Sequence, residues 1–222
     1  MKYPNFREEK RLWKKGYNVV VGIDEVGRGS LAGPVVAVAA CFIFPESAEK
    51  FPLRVLDSKQ LSSKKRKEIC RALNSEPGVE WGIGRAYQKA IDRINILEAT
   101  KLAMERAVFC LNKKLRNNFQ KKFLRKKNKI GDLIDFLLID GNFEINSDIP
   151  QKSVIRADEK IFSVALASII AKVKRDRTML RYCKKYPQYF FDENKGYPTK
   201  AHRKMIKKYG PSPIHRRTFH FT

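Results

Sequence analysis

Two short apolar runs that each end in an acidic residue constrain the fold of this chain more than any other feature of its sequence. Residues 17–23 (YNVVVGI) lead directly into Asp24 and Glu25, and residues 136–139 (FLLI) lead into Asp140 and a glycine. Runs of this length and composition predict buried β-strands. If the two strands are parallel neighbours, Asp24 and Asp140 emerge at the same edge of the sheet, where open α/β sheets bind their ligands.

The rest of the chain alternates strand and helix patterns around these two strands. The connection between the runs at 17–23 and 35–44 is short and contains glycine and proline, so this pair is predicted to be antiparallel. The basic C-terminal part beyond about residue 176 is predicted to pack as a helical cap or small lobe. These elements predict an α/β domain with a mixed central sheet flanked by helices. Further strands are predicted at 80–87 and 153–156, and helices at about 62–73, 90–111, 159–182 and 199–209.

The charge of the chain indicates a polyanionic partner. There are 47 Lys and Arg residues against 23 Asp and Glu, which gives a formal net charge of +24 at pH 7. Nucleic acid is the first candidate, because neutralising phosphates releases counterions and adds affinity; an anionic membrane surface is the alternative. No apolar run reaches the roughly 18 residues of a spanning helix, and residues 1–15 lack the apolar segment of a secretory signal. A cytoplasmic protein without membrane attachment is therefore expected.

Any metal ion in this protein is expected to be held by carboxylates. The four cysteines form no CxxC pair and the three histidines form no HExxH pattern, which argues against thiolate and zincin-type sites. Asp24 and Glu25 place like charges beside a core, which is costly unless protons or a cation compensate. Mg²⁺ and Mn²⁺ suit such a hard oxygen site. An ordinary acidic turn remains the alternative for this pair, and for Asp140, when each is considered alone.

Asp158 is a further acidic residue whose position allows two interpretations. It lies just before the helix predicted at 159–182, where Asp is a preferred N-cap and complements the helix dipole. If it lies instead at the same sheet edge as Asp24 and Asp140, the set could hold two metal ions about 4 Å apart. Such a pair activates water and stabilises the leaving oxygen in phosphodiester hydrolysis. Spacing alone favours the capping interpretation.

A lysine-rich segment at 113–129 also allows two interpretations. It contains nine Lys and Arg residues and lies between two predicted elements. It is either a solvated helix end followed by a loop, or an additional arm that binds phosphates. Its charge pattern alone favours the solvated surface.

Four blocks of the sequence carry a resemblance to a known family. They are DEVGRGSLAGP from Asp24, LIDGN around Asp140, ADEK followed by ASIIAKVKRD from Ala157, and NKGYPTKAH followed by YGPSPIHRRTF from Asn194. In this order they resemble the signature blocks of bacterial ribonuclease HII, the type 2 ribonuclease H family. Each block is modest alone, but together they cover about residues 17–220 and are specific. The capping interpretation of Asp158 then loses most of its weight.

The resemblance implies a ribonuclease H-like fold with a C-terminal helical extension. The catalytic domain would span residues 1–176, with a basic insertion at about 112–131, and residues 177–222 would form the extension. The implied enzyme is a metal-dependent endonuclease that hydrolyses the RNA strand of RNA–DNA hybrids and nicks DNA 5′ of embedded ribonucleotides. It would leave 5′-phosphate and 3′-hydroxyl ends, use Mn²⁺ or Mg²⁺, act as a monomer, and remove misincorporated ribonucleotides and RNA primers.

The resemblance also assigns roles to individual residues. The stretch Gly27-Arg28-Gly29 would read the 2′-hydroxyl, the group that separates RNA from DNA at a given site. Tyr197 would pack on the sugar at the RNA–DNA junction. The acidic set that binds metal and performs catalysis would be Asp24, Glu25, Asp140 and Asp158.

Several basic residues are candidates for phosphate contacts. Lys59, in the sequence Asp57-Ser58-Lys59, either contacts a phosphate near the scissile bond or lies in a surface turn. Lys172 is interpreted as covering apolar surface with its aliphatic stem, and Asp176 as the ion-pair partner of a neighbouring basic residue. The C-terminal candidates for phosphate contacts are Lys195, His202, His215, Arg216 and Arg217.

Three other classes of function remain open from the sequence. A ribonuclease HIII-like enzyme would carry a different residue at position 28 and an added N-terminal domain, for which the strand at 17–23 is expected to leave no room. A non-catalytic basic nucleic-acid-binding protein explains the charge equally well, but gives no reason for four acidic residues at strand and helix ends. Another two-metal phosphoryl-transfer enzyme is opposed only by the GRG and GYPT motifs.

Overall fold

The computed structural model describes residues 3–43, 48, 61–123 and 132–221 of this chain. Its strands are β1 (Val20–Val26), β2 (Val35–Phe42), β3 (Val79–Ala86), β4 (Phe136–Asp140) and β5 (Gln151–Val154). They form one sheet in the order β3-β2-β1-β4-β5. β2 is antiparallel to β1 and β3, whereas β4 is parallel to β1 and β5. The predicted mixed sheet, its antiparallel first pair and the parallel pairing of the two acid-ended strands are therefore confirmed.

The described helices are α1 (Arg7–Trp13), α2 (Ser63–Asn74), α3 (Gln88–Phe123), α4 (Phe162–Lys185), α5 (Phe191–Asn194) and α6 (Lys200–Tyr209). No sequence pattern predicted α1. The helix predicted at 90–111 is α3, which continues to Phe123 and so includes the first part of the lysine-rich segment; residues 124–131 lie outside the described residues. α3 is broken at Asn95 (φ 64°), whose side-chain oxygen accepts hydrogen bonds from the N–H groups of Leu97 and Glu98 and so restarts the helix.

The sheet is covered by helices on both faces. Alternate residues of β2 belong to two different cores: Val35 and Ala37 face the core that contains α3, whereas Val38 and Ala40 face the core that contains α2 and α4. Side chains of a strand point alternately to the two faces of its sheet, so a strand buried on both faces is apolar throughout. This burial explains why the run at 35–42 shows no alternation of polar and apolar residues.

Gly22 allows α4 to lie directly against β1. A Cβ atom at this position would overlap backbone atoms of Ser163 and Val164, so any side chain would push the helix away from the strand. The close approach places Ser168 of α4 next to the C-terminal end of β1, where its side chain hydrogen-bonds Asp24.

Helix α1 holds the start of α4. Glu9 is 1% exposed and accepts hydrogen bonds from the backbone N–H of Ser163 at 2.9 Å and from its hydroxyl at 2.8 Å. Ile161, the residue before α4, provides no side-chain cap. Glu9 therefore satisfies an N–H group that a helix leaves unpaired at its start, and its charge complements the helix dipole.

Replacing Glu9 with Ala is expected to lower the free energy of unfolding by about 2 kcal/mol, because a buried N–H loses its acceptor and a buried side chain is truncated. Urea titration followed by circular dichroism measures this loss. Glu8→Ala is the matched control: Glu8 forms only surface ion pairs with Arg11 and Lys152, each worth less than about 1 kcal/mol. Equal losses in the two variants would contradict the capping role of Glu9.

The C-terminal helices pack on the turn that follows β1. A separate apolar cluster joins Leu31 and Ala32 of that turn to Met179, Phe191 and Ile206. The predicted division after residue 176 falls within α4, which runs from Phe162 to Lys185, and it stays a prediction. Among the described residues, no helix is both long and apolar enough to cross a membrane.

Candidate active site

Three carboxylates from distant parts of the sequence meet at one edge of the sheet. Ile23 of β1 lies opposite Ile139 of the parallel strand β4, so the next residues, Asp24 and Asp140, lie side by side where the pairing of these two strands ends. Asp158 arrives from a 3₁₀ turn (Ala157–Glu159) just before α4. One carboxylate oxygen from each of the three lies within 4.8 Å of the others. The sequence expectation that these residues share one edge is thus confirmed in its geometry.

The capping interpretation of Asp158 is wrong. The N-cap residue of α4 is Ile161, whose side chain forms no capping hydrogen bond. The N–H of Ser163 is instead bound by Glu9. Asp158 itself is 1% exposed and lies inside the cluster. Its turn is held by Asp140, whose Oδ1 accepts a 2.7 Å hydrogen bond from the N–H of Ala157.

The clustered acids have unusual proton affinities. The pKa of Asp24 is raised well above its ordinary value, because burial removes it from water and because Glu25, Asp140 and Asp158 are negative neighbours; the hydrogen bond from Ser168 opposes this shift. Burial, together with Asp140, raises the pKa of Glu25 to about 7 against the opposing charge of Arg28. A divalent cation in the cluster would reverse both effects, because it favours the ionised carboxylates.

Glu25 lies beside the cluster rather than inside it. It is the strand neighbour of Asp24, and successive side chains point to opposite faces. Its Oε1 is 3.5 Å from the guanidinium of Arg28, and its Oε2 is buried with no hydrogen-bond partner among the described residues. The sequence placed Glu25 with the three aspartates, whereas the structure places it on the wall of the same cavity.

A cavity of about 610 Å³ opens above the carboxylates. It brings together eight of the nine residues to which the sequence assigned a role; the ninth, Lys59, lies outside the described residues. Four further lining residues were not assigned to the site from the sequence: the apolar Val26 and the polar residues Arg66, Ser168 and Lys172. Ser168 and Lys172 belong to the ASIIAKVKRD block and could have been found there, whereas Arg66 on α2 lies in none of the blocks. The cavity is lined by Asp24, Glu25, Val26, Gly27, Arg28, Gly29, Arg66, Asp140, Asp158, Ser168, Lys172 and Tyr197.

The glycine-rich turn after β1 is fixed from below by Arg216. This fully buried side chain donates hydrogen bonds to the carbonyls of Gly27 at 2.6 Å, Arg28 at 2.7 Å and Gly33 at 3.0–3.1 Å. Because these three carbonyls all bind the guanidinium, the orientation of the turn relative to Arg216 is fixed. Among the described residues, no group accepts a hydrogen bond from the N–H of Arg28 or Gly29, so both donors remain available on the cavity wall.

Arg175 of α4 fixes the other end of the same turn. It is also fully buried and donates to the carbonyls of Pro34 at 3.0 Å, Ala32 at 3.2 Å and Lys195 at 2.9 Å. Gly27 has a φ of 95°, and a Cβ atom there would overlap the Arg175 guanidinium. Only glycine therefore satisfies both the backbone conformation and the space at position 27.

Three of the five C-terminal candidates for phosphate contacts are wrong. Arg216, His202 and His215 are at most 2% exposed and so cannot reach a phosphate. The two histidines face each other, with 3.0 Å between their Nε2 atoms, and His202 Nδ1 lies 2.9 Å from the carbonyl of Tyr197. They support the turn that carries Tyr197. Lys195 and Arg217 reach the surface, and their phosphate contacts stay predictions.

Lys172 and Tyr197 form the wall opposite the glycine turn. The ammonium of Lys172 lies 2.9 Å from Asp176 and 5.8 Å from the centre of the Tyr197 ring. The interpretation of Asp176 as an ion-pair partner is confirmed. Lys172 lines the cavity, so it places a positive charge beside the carboxylates rather than only covering apolar surface with its stem.

Acidification is expected to destabilise the protein through His215. Burial lowers the pKa of His215 to about 4 from an ordinary value of 6.5, so between these values the unfolded chain binds a proton that the folded protein does not. His215 should therefore contribute a loss of stability of up to about 3 kcal/mol as the pH drops from 6.5 to 4, whereas Asp24 and Glu25, whose pKa values are raised, act in the opposite direction. Urea titrations across this range should show a weaker pH dependence in His215→Gln, and an unchanged one in the exposed control His220→Gln. Equal pH dependence in wild type and His215→Gln would contradict this assignment.

The sequence comparisons with known proteins identify one family, and the solved structures that match share its fold. A sequence profile for the family described as Ribonuclease HII matches residues 21–222. A Ribonuclease HII of Caldanaerobacter subterraneus subsp. tengcongensis is 43% identical over 211 residues, covering 95% of this chain and 78% of that protein. The ribonuclease H2 structure from Pyrococcus horikoshii OT3 matches with a TM-score of 0.65 and 28% identity over 91% of this chain and 94% of that one. Bst-RNase HIII in complex with Mn²⁺ shares the fold (TM-score 0.59, 20% identity, 93% of this chain and 68% of that one).

Proposed function

Because this chain belongs to the ribonuclease HII family, we propose that it nicks duplex DNA on the 5′ side of embedded ribonucleotides and also cuts the RNA strand of RNA–DNA hybrids. The chain is a ribonuclease H endonuclease with a ribonuclease H-like fold. The observation that carries the proposal is one cavity in which the clustered carboxylates face the glycine-rich turn and Tyr197. A phosphodiester can be hydrolysed there beside a sugar hydroxyl that the turn recognises.

Divalent metal ions are the cofactors of this family, and the residues present fit them. Asp24, Asp140 and Asp158 offer three hard oxygen ligands within 4.8 Å of one another, the donor type that Mg²⁺ and Mn²⁺ prefer. We propose that these three carboxylates hold the ions and that Glu25 completes the set. Divalent ions held there would supply an activated water and would stabilise charge on the leaving oxygen.

The chain's own residues would position the substrate around this chemistry. Asp140 accepts the N–H of Ala157, so its carboxylate faces the cavity in a fixed orientation and holds the turn of Asp158 in place. Lys172, on the wall of the same cavity, would bind a non-bridging oxygen of the scissile phosphate. Its neighbour Asp176 holds the ammonium in position through a 2.9 Å ion pair.

Recognition of the ribonucleotide would use backbone donors and one aromatic ring. The N–H groups of Arg28 and Gly29 would hydrogen-bond the 2′-hydroxyl, which deoxyribose lacks. Tyr197 is half-buried in the cavity wall, so its ring is available for the sugar on the adjacent nucleotide. Rigid donors of this kind discriminate strongly between ribonucleotides and deoxyribonucleotides, because a substrate without the 2′-hydroxyl leaves the donors unpaired.

The proposed products and roles follow from this cleavage position. A cut 5′ of the ribonucleotide leaves a 3′-hydroxyl on one side and a 5′-phosphate on the other, which suits removal of misincorporated ribonucleotides and RNA primers. We propose a monomer that acts in the cytoplasm. The non-catalytic basic binding protein is wrong as an alternative, because the chain belongs to an enzyme family, and the profile match also opposes the ribonuclease HIII-like alternative.

A cleavage assay on defined duplexes tests the proposal. A labelled DNA duplex with one ribonucleotide is incubated with Mg²⁺, with Mn²⁺ or with EDTA, beside all-DNA and all-RNA duplexes. The expected result is a metal-dependent nick on the 5′ side of the ribonucleotide and no cut in either control. Cleavage of the all-DNA duplex, or no cleavage with either metal despite tight binding, would overturn it.

A further inference from the structure

A second groove of about 610 Å³ continues outward from the catalytic cavity between α2 and α4. Arg66 of α2 lines both spaces, so they are adjacent at its side chain. The groove is strongly cationic, because Asp176 is the one acidic residue among its described lining residues, and Asp176 is already paired with Lys172. Its cations are Arg66, Lys67, Arg71, Lys174, Arg177 and Lys195.

Part of this charge is not compensated by the residues that the structure describes. Lys67, Arg71 and Arg177 are exposed, and none of the three forms an ion pair within the part of the chain that the structure describes. Lys67 and Arg71 lie four residues apart on α2 and therefore on one face of the helix. From Arg66 to Arg71 the helix rises by about 7.5 Å, so these cations are spread along the groove.

Trp81 connects the groove to the lysine-rich segment. The ammonium groups of Lys174 from α4 and Lys114 from α3 each lie 4.4 Å from the centre of its ring. Lys114 also donates a 2.7 Å hydrogen bond to the carbonyl of Trp81. The indole face thus holds two cations from different helices together. Lys114 is the second residue of the segment at 113–129 and its ammonium also lies 3.7 Å from the Glu80 carboxylate, so Trp81 lies between the groove and the start of that segment.

We propose that the groove between α2 and α4 binds the sugar–phosphate backbone of the duplex outside the catalytic cavity, and that Lys174 and Lys114 extend this path over Trp81 to the lysine-rich segment. The inference rests on the proposed function for the identity of the substrate. A polyanion fits this groove because Lys67, Arg71 and Arg177, which are exposed and form no ion pair with another described residue, line a concave surface next to the cavity where a phosphodiester would be cut. Contacts of this kind fix the register of the duplex and carry no sequence information.

Salt-dependent binding tests the groove with a matched pair of variants. Lys67→Gln/Arg71→Gln removes two groove charges but keeps residues that favour helices. Lys14→Gln/Lys15→Gln is the control and removes two exposed charges in the turn after α1. This turn precedes β1, whereas Asp24 lies near the C-terminal end of that strand. The dissociation constant of a labelled DNA duplex with one ribonucleotide is measured in EDTA, so that it stays uncut, over a range of NaCl concentrations.

The groove variant is expected to bind at least about tenfold more weakly at low salt, and its slope of log Kd against log salt should fall by about 1.8, since each lost phosphate contact contributes about 0.9. The control variant should keep the wild-type slope. Shortening the duplex on one flank of the ribonucleotide should then weaken the wild type but not the groove variant. Identical slopes in the two variants would overturn the proposal.

The cleavage assay separates this failure from failure of the proposed function. If the wild type nicks at the ribonucleotide and the two variants have the same slope, the groove does not bind the backbone and the proposed function stands. If the slopes differ but the wild type cuts nothing with either metal, the groove binds nucleic acid and the proposed function fails.

Discussion

Replacing Asp140 with Asn is expected to reduce cleavage of a ribonucleotide-containing duplex by at least about 10³-fold, because a metal site supplies several kcal/mol of transition-state stabilisation. The change should leave the fold intact. An Asn Oδ1 can still accept the hydrogen bond from Ala157 that orients the turn of Asp158. Without metal the variant should be more stable than the wild type, because one of the clustered negative charges is gone.

Two assays test this prediction. The cleavage rate is measured under single-turnover conditions with Mg²⁺ or Mn²⁺, and the affinity for the same duplex is measured in EDTA. Binding should be equal or tighter in Asp140→Asn, since the cavity loses a charge that repels phosphate. Asp148→Asn removes an exposed carboxylate outside the cavity and should match the wild type in both assays. Cleavage by Asp140→Asn at the wild-type rate would refute catalysis at the three-carboxylate cluster.

Replacing Arg216 with Lys is expected to lower both the stability of the protein and its cleavage rate, although the charge is kept. The guanidinium binds three carbonyls of the turn at 27–33 at the same time, and an ammonium lacks the planar fork needed to reach them together. Buried carbonyls left without donors should lower the free energy of unfolding by about 3 kcal/mol. A turn displaced by about 1 Å should lower cleavage by about 10²-fold.

Two further measurements separate positioning of the turn from general unfolding. Cleavage is compared at a temperature where circular dichroism shows both proteins folded. Mn²⁺ binding by calorimetry should be unchanged in Arg216→Lys, because Arg216 forms hydrogen bonds to the turn and to none of the carboxylates. The exposed neighbour provides the control, and Arg217→Lys should have wild-type stability. Wild-type stability and cleavage in Arg216→Lys would refute the positioning role.

Much of the sheet and part of the site could be predicted from the sequence, because both depend on local patterns. The apolar runs before Asp24 and Asp140 predicted the strands that became β1 and β4. Burial of such runs favours strands whatever else the chain does, and an acid at the end of each run must lie at the sheet edge. The family blocks added Asp158 and the glycine-rich turn, whose spacing alone pointed to a helix cap and an ordinary turn.

Other features depended on contacts between distant residues and could not be predicted in this way. Glu9 caps α4 from 154 residues away, which excludes the capping role that spacing favoured for Asp158. Arg66 enters the cavity from α2, outside every block. Glu25 lines the same cavity with its Oε1 3.5 Å from the Arg28 guanidinium, and it is not among the three residues whose oxygens lie within 4.8 Å of one another.

The sequence alone therefore determined where the acidic residues lie along the strands, and the tertiary structure decided which charged residues contact solvent. In a chain with a net charge of +24, Arg216 is predicted from its sequence environment to contact phosphate, yet it is fully buried. A guanidinium can be buried only where enough acceptors converge to replace water. Here the acceptors are carbonyls of Gly27, Arg28 and Gly33, more than 180 residues away in the sequence, and only folding brings them to Arg216.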